Sequence, residues 1–288
     1  MRLCILCRLC IGHSKLCRFR AVNSSGEPQS TSRKRPSQSD WTRSKPLGMD
    51  SLRVDPRTGE VFLRLPVPHE NIITTPPRDC DVADTVPILN DPKVYKTLVG
   101  LPFPYHPHHA EEWLGAAKKK SDKVLENLRK GKVVVDGCPV RHLREMQPNG
   151  TELFLEDLSV GRHRWFEVAD EDLRERVTKE GSEKPVGDPG IVWTLGGVWR
   201  SAAEISAIPL WHSADYFRPS HHGRGIMSAA VGAVINQWMI PHLNGHKIRT
   251  KAIEGDIARV RVFEMGTFRV ERRPGRGVIE GVHVLEWE

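Results

Sequence analysis

The sequence contains no uninterrupted apolar run near the roughly 18 residues that a membrane-spanning helix needs. We therefore expect no membrane partner. Cysteines are also scarce outside the first 17 residues. Four of the six lie there, and the other two, Cys80 and Cys138, stand alone. The spacing of the first four suits zinc or an iron–sulfur cluster, but a structural zinc site usually pairs two short clusters across a longer loop, and the second is missing. The sequence thus predicts neither a metal site nor a disulfide scaffold.

Acidic residues are few in the first 48 positions. These positions hold ten Lys or Arg residues against Glu27 and Asp40, whereas the remaining 33 basic and 34 acidic residues almost cancel. A domain that binds nucleic acid is expected to carry positive charge on its folded part. The charge pattern therefore argues against a nucleic-acid-binding domain, and it leaves the basic tail as the one place where nucleic acid could be contacted.

Residues 1–48 are interpreted as a basic tail ahead of a single domain at 49–288. Residues 1–20 are rich in Arg and lack Asp and Glu, as in a mitochondrial presequence, whereas residues 22–47 have the polar composition of a disordered segment. Met49 is an alternative start, which makes the tail an artefact of the gene model. These readings stay open, and with them a cytoplasmic or a mitochondrial location.

The first half of the domain carries ordinary strand, helix and turn signals. The pattern predicts a strand at 71–75, a helix with Asp79 as its N-cap, and a hairpin that turns at 148–150. Three histidines between positions 106 and 109 invite a metal hypothesis. Because Pro107 lies among them and a helical pattern follows, they indicate a junction between a loop and a helix instead.

The stretch 219–237 predicts a turn that opens a helix. Gly223 and Gly225 allow the backbone to turn sharply and a ligand to approach closely. Apolar residues follow at helical spacing: Ile226, Ala230, Ala233, Val234 and Trp238. The start of a helix offers unpaired N–H groups and a partial positive charge, which suit a phosphate. The stretch therefore predicts a diphosphate cradle, although an ordinary glycine turn before a core helix fits the same spacing.

The order of segments in this half resembles the acetyl-CoA-binding half of GNAT acetyltransferases, in their ribosomal-protein N-acetyltransferase-like (RimJ/RimL-like) branch. The cradle and its helix are followed by an extended run at 246–253 and by a second helix from Asp256. The resemblance implies an α/β (α+β) fold with a mixed, mostly antiparallel central sheet that is flanked by helices and splayed at the acetyl-CoA site. It also implies acetyl-CoA as co-substrate and direct transfer of its acetyl group to a primary amine, on a small molecule or a protein N-terminus.

In the family, the turn binds the coenzyme diphosphate through backbone amides after a leading Gln or Arg, where this sequence has Ser220. Relatives usually carry Asn where Asp256 stands and Ser where Arg259 stands. The resemblance implies these coenzyme-binding residues: Phe217, Ser220, His221, His222, Gly223, Arg224, Gly225, Ile226, Asp256 and Arg259.

The implied chemistry needs a base, because the amine must be neutral to attack, and an acid for the leaving thiolate. The candidate bases are Glu156, Asp157 and Asp215, and the candidate acid is Tyr216. Each carboxylate fits an exposed strand position equally well, and the tyrosine fits the core. A non-catalytic acyl-CoA-binding relic is the alternative function, and a nucleic-acid-associated protein acting through the tail is the second.

The central strand is expected to be interrupted. Residues 191–196 read as its start and residues 215–219 as its end, with Gly197–Ala214 between them, a segment of 18 residues. In relatives the two pieces are expected to be nearly continuous. Our hypothesis is that the segment is a retained intron, since its opening Gly-Val permits a GT donor; a genuine loop over the coenzyme is the alternative.

Overall fold

The first of two five-stranded sheets is built from strands between residues 53 and 157. Its strands pair antiparallel in chain order: β1 (Arg53–Val54), β2 (Val61–Arg64), β3 (Ile72–Thr75), β4 (His142–Met146) and β5 (Glu152–Asp157). The predicted hairpin joins β4 to β5, where Gly150 has a φ of 80° and its N–H donates to the Gln147 carbonyl at 2.9 Å. The ladder between β4 and β5 shifts its register between Leu143 and Arg144.

The second sheet has the order β11-β12-β10-β7-β6. Its strands are β6 (Val160–Arg162), β7 (Val192–Leu195), β10 (Lys247–Ile253), β11 (Arg269–Glu271) and β12 (Val282–Trp287). Every pair is antiparallel except β7 with β10. A separate two-stranded ladder joins β8 (Val198–Trp199) to β9 (His212–Ser213).

The two sheets are connected where β5 of the first sheet leads directly into β6 of the second. Only two residues separate β5 from β6. On the far edge of β5, the Arg218 N–H donates to the Leu155 carbonyl at 3.0 Å, so the chain around Arg218 runs beside this strand. The segment that leads into the predicted cradle is therefore an edge of the first sheet, as β7 is a neighbour of β6 in the second.

The sheet opens between β7 and β10. Their parallel pairing covers three residues of each strand, 192–194 and 247–249. Beyond that point β10 continues to Ile253, with its other edge fully paired to β12. Among the described residues, no strand pairs with the β7-facing edge of 250–253. The fold is thus the mixed, mostly antiparallel and splayed α/β arrangement that the resemblance implied.

The helices are α1 (Val82–Leu89), α2 (Pro92–Tyr95), α3 (Pro107–Arg129), α4 (Glu171–Glu183), α5 (Ile226–Val234), α6 (Ile240–Leu243) and α7 (Ile257–Met265). A π-helical segment at Ile235–Met239 joins α5 to α6. The prediction of an N-cap at Asp79 was wrong. A 3₁₀ turn at Asp79–Asp81 comes first, because the Asp81 carboxylate accepts the Arg78 N–H at 2.8 Å and closes that turn before α1 begins.

The computed structural model describes residues 51–98, 101–196, 198–199, 212–213, 216–253, 255–265, 268–271 and 282–287. They belong to one unit that spans positions 38–288. The predictions for the basic tail, for Asp215 and for most of 197–214 lie outside these residues. No helix in the described part is both long and apolar enough to cross a membrane.

The main core packs α5 and the π-helical segment against both sheets. Trp193 and Trp238 are the largest side chains in it, at 1% and 0% exposure. The Trp238 indole N–H donates to the Gly137 carbonyl at 3.0 Å, so its burial leaves no polar atom unpaired. A second, smaller cluster lies beside α1 and includes Phe154 and Tyr216.

Replacing Trp238→Ala should lower the free energy of unfolding by about 3–5 kcal/mol, because it removes a fully buried ring and opens a cavity. Urea denaturation measures the change. Leu173→Ala, at a residue of α4 that is 37% exposed, serves as the control and should stay within about 0.5 kcal/mol of wild type. Equal effects of the two substitutions would contradict the assignment of the core.

Candidate functional site

The predicted turn has the backbone that its glycines allow. A 3₁₀ turn at Pro219–His221 is followed by Gly223 at a φ of 72° and Gly225 at a φ of 73°, and α5 begins at Ile226. Residues with a side chain are strained in this left-handed region. Ile226 is 1% exposed and lies in the main core, which fixes the start of the helix.

The turn presents a run of unused donors. The first intrahelical bond runs from the Ala229 N–H to the Gly225 carbonyl at 3.1 Å. Within the described part of the chain, the backbone N–H groups of 223–228 have no hydrogen-bond acceptor. A Cβ placed on Gly223 would meet no atom within 4 Å, so the space beside the turn is open. Unpaired N–H groups at a helix start can form a concavity that binds an anion.

The imidazole rings of the turn form hydrogen bonds to other groups of the protein. The His221 ring is 6% exposed, with Nδ1 2.8 Å from the Ser220 hydroxyl. The His222 Nε2–H donates to the Phe217 carbonyl at 2.8 Å. The rings of His222 and Phe217 stack with their centroids 6.0 Å apart. A ligand of this turn therefore meets backbone donors before it meets imidazole.

Glu145 of β4 holds the turn in place, and the sequence analysis missed it. Its carboxylate accepts hydrogen bonds from an imidazole, a guanidinium and two side-chain amides: His221 Nε2 (3.0 Å), Arg224 Nη2 (3.2 Å), Gln147 Nε2 (2.6 Å) and Asn71 Nδ2 (3.1 Å). Burial alone raises the pKa of Glu145, but these bonds, led by that from His221, lower it to about 2. Arg224, which the resemblance assigned to the coenzyme, thus has a carboxylate partner in the free protein.

Asp256 and Arg259 lie at the start of α7, just after β10 ends beside the opening. The Asp256 carboxylate accepts the Arg259 N–H at 3.0 Å, which is the hydrogen bond of a helix N-cap. The Arg259 side chain is 7% exposed. The helix contacts α5 through Met265, whose sulfur lies 3.8 Å from the Ser228 hydroxyl.

The candidate carboxylates on β5 point to opposite sides of the sheet. Glu156 is paired across the ladder with Leu143 of the main core, whereas Asp157 is paired with His142. Both carboxylates are buried, at 0% and 1% exposure. Asp157 is the partner of Arg141 in a bidentate ion pair, in which Nη2 lies 2.6 Å from Oδ2 and Nε bonds to Oδ1. That pairing occupies both oxygens of the Asp157 carboxylate.

Tyr216, the candidate acid, is 4% exposed in the second cluster. Burial, followed by the nearby Asp157 carboxylate, raises the pKa of Tyr216 well above its ordinary value, so its hydroxyl keeps its proton at neutral pH. The charges of Asp157 and Glu156 both act on Tyr216, which lies three positions before the turn at Pro219–His221. The remaining candidate base, Asp215, lies outside the described residues.

A second ionic network ties α1 to the sheet, and sequence reasoning missed it as well. His142 is fully buried, with Nδ1 2.6 Å from the Asp81 carboxylate and Nε2 3.4 Å from that of Asp157. Arg144 Nη2 donates to Asp81 at 2.7 Å. Burial lowers the pKa of His142. Burial alone raises the pKa of Asp81, but the bond to His142 and the charge of Arg144 lower it to about 2.

No group of three or more His, Cys, Asp or Glu residues in the described ranges has the arrangement of a metal site. The histidines at the start of α3 cap that helix instead, since the His106 N–H donates to His109 Nδ1 at 3.1 Å.

No protein-family model and no curated protein matches the chain. The solved structures that it is similar to include a GNAT-family acetyltransferase from Bacillus anthracis, which is 11% identical with a TM-score of 0.44 over 78% of this chain and 96% of that one. They also include RimJ of Mycobacterium smegmatis in complex with CoA-disulfide, 14% identical with a TM-score of 0.41 over 79% and 85%. A third is the ribosomal-protein-S5-alanine acetyltransferase of Vibrio fischeri, 14% identical with a TM-score of 0.41 over 76% and 93%. These matches fall in the family that the sequence resembles, but similarity at this level carries no inference about activity.

The pKa of Asp81 predicts a specific acid sensitivity. Because the folded pKa of about 2 lies below the ordinary value of about 3.9, this carboxylate stabilises the fold above about pH 4, and the contribution is lost as the pH falls towards 2. Between about pH 5 and pH 2, the unfolding free energy of Asp81→Asn should therefore fall by about 2–3 kcal/mol less than that of the wild type. Urea denaturation across that range measures it.

Asp79→Asn is the matched control, since Asp79 lies in the same 3₁₀ turn but is exposed. It should keep the pH dependence of the wild type. Titration of the Asp81 carboxyl carbon by NMR tests the same point in the unaltered protein. An ordinary pKa there, or an unchanged pH dependence in Asp81→Asn, would show that the network does not hold the carboxylate ionised.

Proposed function

We propose that this protein is an acetyl-CoA-dependent N-acetyltransferase that transfers an acetyl group directly to a primary amine, on a protein N-terminus or a small molecule. The observation that carries the proposal is the run of six acceptor-free N–H groups at 223–228. Such a concavity suits the diphosphate of coenzyme A. The sequence resemblance supports the same ligand, and the comparisons add no weight to it.

The opening between β7 and β10 suits the rest of the coenzyme. The edge of β10 at 250–253 has backbone groups that pair with no described strand. An extended pantetheine arm carries amides that can pair with such an edge, as an added strand does. The thioester at the end of the arm then lies within the sheet, beyond the cradle and towards the β5 carboxylates.

Transfer forms a bond between the amine nitrogen and the acetyl carbon and breaks the bond from that carbon to sulfur. The amine loses a proton to a base, and the thiolate of coenzyme A takes up a proton. Because Asp157 is held by Arg141, we assign the base to Glu156, acting directly or through a water. Tyr216 is assigned as the donor to the thiolate, because it holds its proton, although its raised pKa makes it a weaker acid than an exposed tyrosine.

Replacing Gly223→Ala tests the cradle. The space beside Gly223 is open, so a Cβ there would contact only a ligand, while the φ of 72° adds backbone strain to the variant. We expect the Kd for coenzyme A to rise at least about tenfold, which corresponds to about 1.4 kcal/mol, by isothermal titration calorimetry.

Gly59→Ala is the matched control. Gly59 lies in the turn before β2 at a φ of 74°, and a Cβ there also meets no atom within 4 Å. Both variants should therefore lose similar stability, while only Gly223→Ala loses affinity. An unchanged Kd in Gly223→Ala would contradict the placement of the diphosphate.

A non-catalytic acyl-CoA-binding protein is the second candidate. Burial of both β5 carboxylates and the ion pair of Asp157 with Arg141 favour it, because neither carboxylate is exposed to take a proton from an amine. Release of free thiol from acetyl-CoA, measured with a panel of amines and N-terminal peptides, separates the two. Coenzyme binding without thiol release for any amine supports the second candidate.

If transfer is observed, Glu156→Gln should lower kcat by about 10²–10⁴-fold and leave the Kd for coenzyme A unchanged. Glu126→Gln, at an exposed position of α3, is the control and should keep full activity. Full activity in Glu156→Gln would move the base to another residue. Loss of coenzyme binding together with activity would indicate a structural role for Glu156.

A further inference from the structure

The ladder on the edge of β6 continues past the point where β7 ends. Val160 is paired with Leu195, and the next hydrogen bond runs from the Gly196 N–H to the Ser159 carbonyl at 2.9 Å. In an antiparallel pair the two residue numbers keep a constant sum, so the residue opposite Leu155 would be number 200. The residue found there is Arg218, whose N–H donates to the Leu155 carbonyl at 3.0 Å. It stands 18 positions later than an uninterrupted strand requires.

The face of the strand on which each side chain lies gives an independent check of the 18-residue offset. Leu195 and Phe217 both pack on the main core, whereas Tyr216 lies in the second cluster. Residues on one side of a strand are an even number of positions apart. Removing 18 positions keeps Leu195 and Phe217 on one side, and removing 17 or 19 does not. This check matters because the shift between Leu143 and Arg144 lies close to the same part of β5.

The described ends of the inserted segment pair with each other. They form the β8–β9 ladder, in which Val198 is paired with Ser213 and Trp199 with His212. Residues paired across an antiparallel ladder have Cα atoms about 5 Å apart. The chain therefore leaves the strand after Gly196 and returns beside its own point of departure, which is the geometry that a deletion needs.

We propose that residues 197–214 are a dispensable insertion into one central strand, and that the chain without them folds with β7 running unbroken through Arg218 in the same register. A form of this protein that is 18 residues shorter is then a complete folded protein in its own right. This proposal about the strand does not depend on whether the protein binds a coenzyme.

Three deletions in the full chain test the register: 197–214, 197–213 and 197–215. The first should fold with a thermal midpoint at or above that of the full chain, because a long closed loop is removed. The other two shift the strand by one residue and turn Tyr216, Phe217 and Arg218 to the wrong sides. Their midpoints should fall by about 10 °C or more below that of the first deletion.

Hydrogen exchange of the Arg218 amide gives an independent readout. Its protection should persist in the 197–214 deletion and be lost in the other two, because only the first keeps its bond to Leu155. Failure of the 197–214 deletion to fold would overturn the proposal, since the fold would then depend on the deleted segment. Equal thermal midpoints for all three deletions would overturn it too, because the register would not select a length of 18.

Discussion

The position of the candidate site depends on Arg218. Its backbone N–H bonds to the Leu155 carbonyl, and its guanidinium donates from Nε to the Phe154 carbonyl at 2.7 Å and from Nη2 to the Asp84 carboxylate at 2.8 Å. One residue thus fastens the end of the central strand to β5 and to α1. Pro219 follows immediately and starts the turn. The six N–H groups therefore follow a strand end that β5 and α1 hold in place.

Glu145 fixes the far side of the same turn through His221 and Arg224. A binding loop that is already held in shape loses little conformational freedom when an anion arrives, so more of the interaction energy remains as affinity. The turn uses its histidine rings and its arginine for this internal support. Its backbone donors are what it leaves for a ligand.

The parts that sequence predicted are those set by local backbone chemistry. Gly223 and Gly225 mark the left-handed positions of the turn, and the helical spacing from Ile226 marks the buried face of α5. The hairpin at 148–150 follows from its own Pro-Asn-Gly signal in the same way. In each case the residues that decide the structure are neighbours in the chain.

The parts that sequence missed are set by residues distant in the chain. Glu145 meets His221 across 76 positions, and Asp81 meets His142 across 61. A charged residue in a strand carries no local sign of its partner, so these networks become visible only in the folded chain. The N-cap at Asp79 failed for a local reason, because Asp81 competes for the same turn. The 18-residue interruption was visible as two strand pieces, but its register needed the ladder on β5 and β6.

The most direct test of the central claim compares coenzyme A with pantetheine as ligands of the full chain by isothermal titration calorimetry. Pantetheine keeps the arm that would enter the opening between β7 and β10 but lacks the nucleotide diphosphate. If the N–H groups of 223–228 hold the diphosphate, coenzyme A binds at least about tenfold more tightly than pantetheine. Equal affinity for the two ligands, or no binding of coenzyme A, would contradict a diphosphate site at this turn.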